Sequence, residues 1–196
     1  MVGTLPTTLP VFADDAALYR FLNDANRDRH AVPVVALTGG DLWRTLGGSV
    51  GRPTPEPGGQ GVLLPVDLGT VLVDGVEVMF AAHVAARNSW WRGELVGVMN
   101  AQYVGCWDVA PRSHPNDGQL DVVRVAAAMP IGERWKAWRR LPTGTHLPHP
   151  HIEQRRLTHV HVDLERPLDV TIDGVPVGEQ AQLEVRAVPD GLTVVV

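Results

Sequence analysis

Four Asp-Gly pairs, Asp74-Gly75, Asp117-Gly118, Asp173-Gly174 and Asp190-Gly191, interrupt apolar runs along the chain. Glycine supplies positive φ without steric cost, and an aspartate side chain can hydrogen-bond the backbone two residues on. Each pair therefore predicts a point where an extended segment reverses. Val71-Leu72-Val73 and Val76-Glu77-Val78 flank the first pair, the pattern of a two-residue hairpin. Phe80 to Ala86 reads as a further apolar strand, followed by a loop over 88–93 that carries Trp90 and Trp91. Val160, Val162 and Leu164 alternate with polar residues, and Leu168, Val170 and Ile172 repeat the pattern before Asp173. Leu183, Val185 and Ala187 predict another strand, which Asp190-Gly191 should turn into Leu192 to Val196. Short strands at this spacing predict a mainly β protein, an antiparallel β-sandwich or barrel.

The N-terminal part reads differently. Asp14 or Asp15 can cap a helix in which Leu18, Phe21, Leu22 and Ala25 recur at helical spacing. The helix should end near Arg29-His30, before Pro33. Val34 to Leu37 predicts a short buried strand. Gly39-Gly40-Asp41 then precedes one or two helical turns from Leu42 to Leu46. Residues 1–51 are thus expected to form a small α/β appendage. Residues 52–61, rich in Pro and Gly, read as a linker, and 62–196 as the β-sandwich domain.

Composition narrows the function classes. The net charge of −5 provides no overall positive field for nucleic acid, so no nucleic-acid partner is expected. The single cysteine, Cys106, cannot form an internal disulfide. The N-terminus lacks a basic segment followed by an apolar run, so no signal peptide is expected. No apolar run reaches the ~18 residues needed to span a bilayer, and a cytoplasmic location is the default.

Ile131 to Leu141 predicts a helix with Trp135 and Trp138 on one face and Arg134, Lys136, Arg139 and Arg140 around them. Trp135, Trp138, Arg139 and Arg140 are the candidate contacts to a lipid headgroup or an anionic membrane surface, peripheral to the bilayer. The plainer reading packs both rings on the sandwich and leaves the charges solvated. Trp90 and Trp91, between Arg87 and Arg92, invite the same two readings. Five histidines, His146, His149, His151, His159 and His161, fall close in sequence, but a zinc site needs three or four converging ligands. Solvated faces of alternating strands account for them more simply.

The longest informative stretch runs from Val98 to Val122. Asn100 stands five residues before Gly105, a loop carries Pro111, and Asp117-Gly118-Gln119-Leu120-Asp121 opens a buried strand to Val125. This order resembles the C-terminal half of the bacterial diacylglycerol kinase and sphingosine kinase-like lipid kinases. The likeness continues through Asp173-Gly174 and covers roughly the last two-thirds of the chain. It implies a C-terminal β-sandwich, the fold class that the turns predict independently.

The resemblance also implies site residues. Gly39, Gly40 and Asp41 match the start of the family's Gly-Gly-Asp-Gly-Thr phosphate loop, where a glycine turn at a helix N-terminus offers N–H groups to an anion. Leu42 and Trp43 stand where the family has Gly and Thr, and their bulk should obstruct close approach. The same residues also read as a plain glycine turn. Leu68-Gly69-Thr70 is the nearest echo of the family's nucleotide loop. A structural Mg²⁺ would fall on Asp117 with the carbonyls of His114 and Gln119, or Asp117 simply caps its turn. The family's general base, the Glu of Asp-Gly-Glu, is replaced by Val175. Valine cannot take a proton.

These departures predict a catalytically degenerate lipid-kinase-like protein, which binds a lipid or serves as an accessory subunit and has no use for ATP. Two alternatives stay open. One is an ATP-dependent lipid kinase completed by a partner kinase subunit. The other is a structural module that forms a homodimer through sheet edges.

Overall fold

The computed structural model describes residues 2–196. In chain order, β1 (Val2–Thr4) and β2 (Val11–Phe12) precede α1 (Asp15–Arg27), β3 (Val35–Leu37) and α2 (Asp41–Thr45). Then come β4 (Gln60–Val62), β5 (Leu64–Val73), β6 (Val76–Phe80), β7 (His83–Arg87) and β8 (Leu95–Met99). A small hairpin of β9 (Tyr103–Val104) and β10 (Trp107–Asp108) leads to β11 (Leu120–Val125). Helix α3 (Ile131–Arg140) runs into a 3₁₀ turn at Leu141–Thr143. The chain closes with β12 (Ile152–Leu157), β13 (His159–Ile172) and β14 (Val175–Val195).

The fold is mainly β. One sheet has the order β12-β11-β8-β7-β13-β14-β3-β2, with β5 on β14 and β6 on β5. Strand β14 organises it. Its first half pairs with β13, its second half with β5, and its end runs parallel to β3. Alternation along these strands brings Val71, Phe80, Val98, Leu120, Val170 and Val185 into one sandwich-like core. A second apolar cluster joins Leu18 and Leu22 of α1, Val35, Leu37 and Leu42 to Val66, Leu68 and Leu192. The N-terminal elements thus share both a sheet and a core with the rest. Residues 60–61, at the end of the stretch read as linker, lie in β4, which pairs antiparallel with β1.

Three of the Asp-Gly pairs sit at chain reversals. Asp74 and Gly75 have φ of 49° and 80°, and Asp173 and Gly174 have 48° and 81°, the geometry of a tight hairpin that follows the strand twist. Gly118, at 71°, enters β11. Asp190-Gly191 departs from expectation. It does not end a strand: β14 runs through it, with a register shift against β5 between Val188 and Leu192. The Asp190 N–H points inward and donates to the buried Asp67 carboxylate at 2.9 Å. The two extra residues form a bulge because the Asp190 amide finds a side-chain acceptor.

The run from Phe80 to Ala86 is likewise not one strand. It breaks at Ala81-Ala82, between β6 and β7. The amides of Ala81, Ala82 and His83 all donate to the Asp173 carboxylate, at 2.8–2.9 Å. A long-range acceptor has overridden the local preference.

Candidate functional site

Two places combine unusual chemistry with burial. The first lies where α1 and α2 meet the sandwich. Asp14 caps α1 through the Ala17 N–H at 2.7 Å, which frees Asp15 to turn inward. The Asp15 carboxylate accepts the N–H of Asp41 at 2.5 Å and of Leu42 at 3.3 Å. Gly40 holds φ at 96°, and a Cβ there would lie 2.6 Å from an Asp15 oxygen. At Gly39 a Cβ would lie 2.2 Å from the Ala13 carbonyl oxygen. The glycines are therefore required by the approach of α1. The backbone donors that could face a phosphate already hold an internal carboxylate.

Leu42 does not obstruct that turn, as its bulk first implies. It is wholly buried in the second apolar cluster, and Asp15 is what fills the place. Asp41 also points inward. One oxygen accepts the Gly105 N–H at 2.7 Å, and the other lies 3.6 Å from His83 Nε2. Thr45 and Arg44 add bonds to Gln102 and to the Gly105 carbonyl, fastening α2 to the β9–β10 hairpin.

His83 stands between Asp41 and Asp173, with its Nδ1 3.8 Å from Asp173. Burial alone would lower its pKa, but Asp173, Asp41 and Asp15 outweigh this and raise it. Burial raises the Asp15 pKa to about 6, opposed by the Asp41 N–H. Burial also raises Asp41, against the pull of His83. By composition this could be a proton-transfer cluster. Its geometry opposes that: the Asp173 side chain has no exposure and is spent on three amides.

The motif residues around Asn100 and Asp117 form a second polar knot. Asn100, fully buried, donates to the carbonyls of Asp67 and Ala81 at 2.8 Å. Asp67 accepts the Gly118 and Asp190 amides. Asp117 is engaged twice: one oxygen accepts the Gln119 N–H at 3.0 Å, and the other lies 3.2 Å from the Arg156 guanidinium. The His114 carbonyl accepts the Asn116 N–H. A guanidinium therefore supplies the positive charge that Mg²⁺ would bring, and this donor set does not fit the ion. Gly69, in the nearest echo of a nucleotide loop, lies within β5. It is paired on both sides, and the Phe80 ring covers the place of its Cβ at 2.1 Å.

The second place is a small cavity between α3 and the face of β8 and β11, about 80 Å³ in volume. Its walls are apolar, from Leu95, Val123, Val125, Met129, Ile152 and the rings of Trp90, Trp91 and Trp138. Among these, Trp91 and Trp138 are the large side chains left exposed, and they mark the mouth. His146 also lines the cavity. It is 3% exposed, its ring lies against the Val109 backbone without a well-formed hydrogen bond, and neither ring nitrogen has surface open to the cavity. Burial lowers its pKa, and the nearby Val109 backbone and Asp108 only partly oppose this. The ring is therefore neutral near pH 7, one nitrogen a donor and one an acceptor.

Arg134, read from sequence as one of a solvated group, is buried. It donates to the carbonyls of Met129, Trp90, Gly93 and Ala126, which clamps α3 to the loops at the cavity rim. Trp135 and Trp138 remain about half exposed, with the Arg139 guanidinium 4.9 Å above the Trp135 ring. Arg140 is exposed. The histidines do not converge: His159 and His161 face solvent beside Glu184 and Asp163, while His149 lies by Glu133. Among the described residues no three His, Cys, Asp or Glu are grouped to hold a metal ion. Among the described residues no helix is long and apolar enough to cross a membrane.

Sequence reasoning missed Asp67 and His83, read Asp15 only as a candidate helix cap, and placed His146 on the surface. The available signal was a lone polar residue inside an apolar run, as in Val66-Asp67-Leu68 and Ala82-His83-Val84.

Residues 70–196 match the family model described as the YegS C-terminal NAD kinase beta sandwich-like domain. No curated protein matches the chain. Among solved structures, one named as a diacylglycerol kinase from Bacillus anthracis strain Sterne is 15% identical, with a TM-score of 0.66. The alignment covers 95% of this chain and 75% of that one. A second from the same organism, assigned there as a candidate diacylglycerol kinase, is 16% identical, with a TM-score of 0.68 over 95% and 77% of the two chains. At these identities the likeness concerns the fold.

Proposed function

The chain belongs to the family of YegS C-terminal NAD kinase beta sandwich-like domains, and from that premise we propose that it binds an amphiphile in the cavity beneath α3 and transfers no phosphate. The observation that carries this reading is the apolar cavity itself, walled by Leu95, Val123 and Val125 under α3 and opening between the exposed Trp91 and Trp138. The cavity has the apolar character of a small-molecule site, and its volume of about 80 Å³ admits the end of a hydrocarbon chain rather than a whole lipid. Arg134 lines it too, but its charge is spent on carbonyls. The buried end of the ligand is therefore apolar, a hydrocarbon chain among the tryptophans as in a glycerolipid, with its polar end at the mouth.

Three features support the absence of phosphotransfer. Asp15 occupies the amides of the Gly40-Asp41 turn, Gly69 is inside a strand, and Val175 replaces the family's base. The second reading, a kinase completed by a partner chain, draws on the Asp41–His83–Asp173 cluster.

Titration of delipidated protein with short-chain diacylglycerol, followed by tryptophan fluorescence, tests the proposal. Saturable binding is expected, weakened at least about tenfold in Ala137→Phe, whose ring fills the cavity. Incubation with Mg²⁺-ATP and diacylglycerol or sphingosine should yield no product. An absence of binding would remove the amphiphile reading. Turnover abolished by changing Asp41 would establish the kinase instead.

A further inference from the structure

We propose that the outer face of α3 is a membrane-docking surface that seats the mouth of the cavity on an anionic bilayer. Ile131, Trp135 and Trp138 recur at i, i+4 and i+7, so they form one line along the helix. A globular helix turns such a line inward. Here Ile131 is 61% exposed, Trp135 49% and Trp138 41%, while the helix buries Arg134 and Ala137. Trp91 extends the line from the neighbouring loop, its ring 6.0 Å from that of Trp138.

The charges around this line select its occupant. Lys136, Arg139 and Arg140 on the helix are exposed, as is Arg92 beside Trp91. Glu133 is the one acid on α3, and it is already paired with Lys136 and close to His149. In a chain of net charge −5 this face is basic and aromatic, against the average of the molecule. The stacking of Arg139 on Trp135 holds a cation and an indole together. Indoles favour the headgroup level of a bilayer, and Lys and Arg are drawn to anionic lipid. With ten residues, α3 is too short to cross and would lie along the surface. What the docking is for rests on the amphiphile reading: Trp91 and Trp138 belong both to the line and to the cavity mouth, so a ligand could enter from the bilayer.

The test sediments the full chain with vesicles of phosphatidylcholine alone, and of phosphatidylcholine mixed with phosphatidylglycerol, at low and high salt. Binding to the mixed vesicles is expected, weakened by salt. A triple variant, Trp135→Ser with Arg139→Glu and Arg140→Glu, should bind at least about tenfold more weakly. None of the three residues lines the cavity, so the variant should keep its thermal unfolding and its affinity for short-chain diacylglycerol. Vesicle binding unchanged in the variant, or absent from the wild type, would overturn the docking. So would a dimer that the same substitutions dissociate, since a second copy would then cover the face. Should only the amphiphile reading fail, vesicles still bind and short-chain diacylglycerol does not.

Discussion

The carboxylate of Asp15 accepts the backbone N–H of Asp41, 26 residues along the chain, and so closes the start of α1 onto the start of α2. A helix N-terminus attracts an anion because its first amides are unpaired. In this protein the anion is part of the chain. The geometry that could have cradled a phosphate has become an internal tie.

That tie should make stability depend on pH. Burial raises the folded Asp15 pKa from 3.8 to about 6. Between these values the folded state holds a proton that the unfolded state has released. Stability from this group is therefore full below about pH 4 and is lost as pH rises through about 6, by up to about 3 kcal/mol. The raised pKa values of Asp41 and His83 act with the same sign. Urea unfolding of wild type and Asp15→Asn at pH 4.5 and 7 checks this. The variant should lose less stability than the wild type across that interval. An equal loss would mean that Asp15 titrates normally.

Asp173 presents a harsher case. Its two oxygens hold three consecutive amides, and all of these groups are buried. Asp173→Ala strands the three donors and should cost about 3–5 kcal/mol in urea unfolding. Asp173→Asn keeps one acceptor oxygen and removes a charge beside Asp15 and Asp41, so it should cost about half as much. If Asn proved as damaging as Ala, the carboxylate charge rather than its acceptor oxygens would hold the Ala81-Ala82 break.

Strand patterns and the hairpins at Asp74 and Asp173 were legible because alternation and turn chemistry are local properties. The resemblance was legible through residues such as Asn100 and Gly118, and the structure explains why: Asn100 satisfies the backbone carbonyls of Asp67, Ala81 and Ala82, and Gly118 donates to the Asp67 carboxylate. What stayed hidden depended on distant partners. Nothing near Asp190 announces the acceptor at Asp67, and nothing near Ala81 announces Asp173. The polar side chains that turned out buried, Asp15 and His146, sit in stretches whose local pattern reads as a helix cap and a loop. Only three-dimensional placement shows which amides or walls they face.

Arg134 is the residue that shapes the cavity rim. Its guanidinium bonds the carbonyls of Met129, Trp90, Gly93 and Ala126, and burial lowers its pKa without approaching neutrality at ordinary pH. Arg134→Met keeps the apolar stem and frees those carbonyls, at a cost of about 2–4 kcal/mol. The loop with Trp90 and Trp91 should loosen, and the tryptophan emission should shift to longer wavelength well below the unfolding transition. Emission that matches the wild type up to that transition would mean that packing alone holds the loop.

Val175→Glu restores the carboxylate that the lipid-kinase resemblance implies for catalysis. Position 175 is partly buried at the hairpin after Gly174, so the change should cost less than about 1 kcal/mol. It should nevertheless produce no phosphotransfer from Mg²⁺-ATP to diacylglycerol. A base accelerates only a reaction whose phosphate is already held in place. Here the turn at Gly40 is filled by Asp15, and Gly69 is locked between two strands under Phe80. Adding Asp15→Gly to Val175→Glu vacates the turn but builds no nucleotide loop at Gly69, and it should remain inactive. Activity in the single variant would show that the loss at position 175 was the whole defect, with the Asp15 tie no barrier to nucleotide.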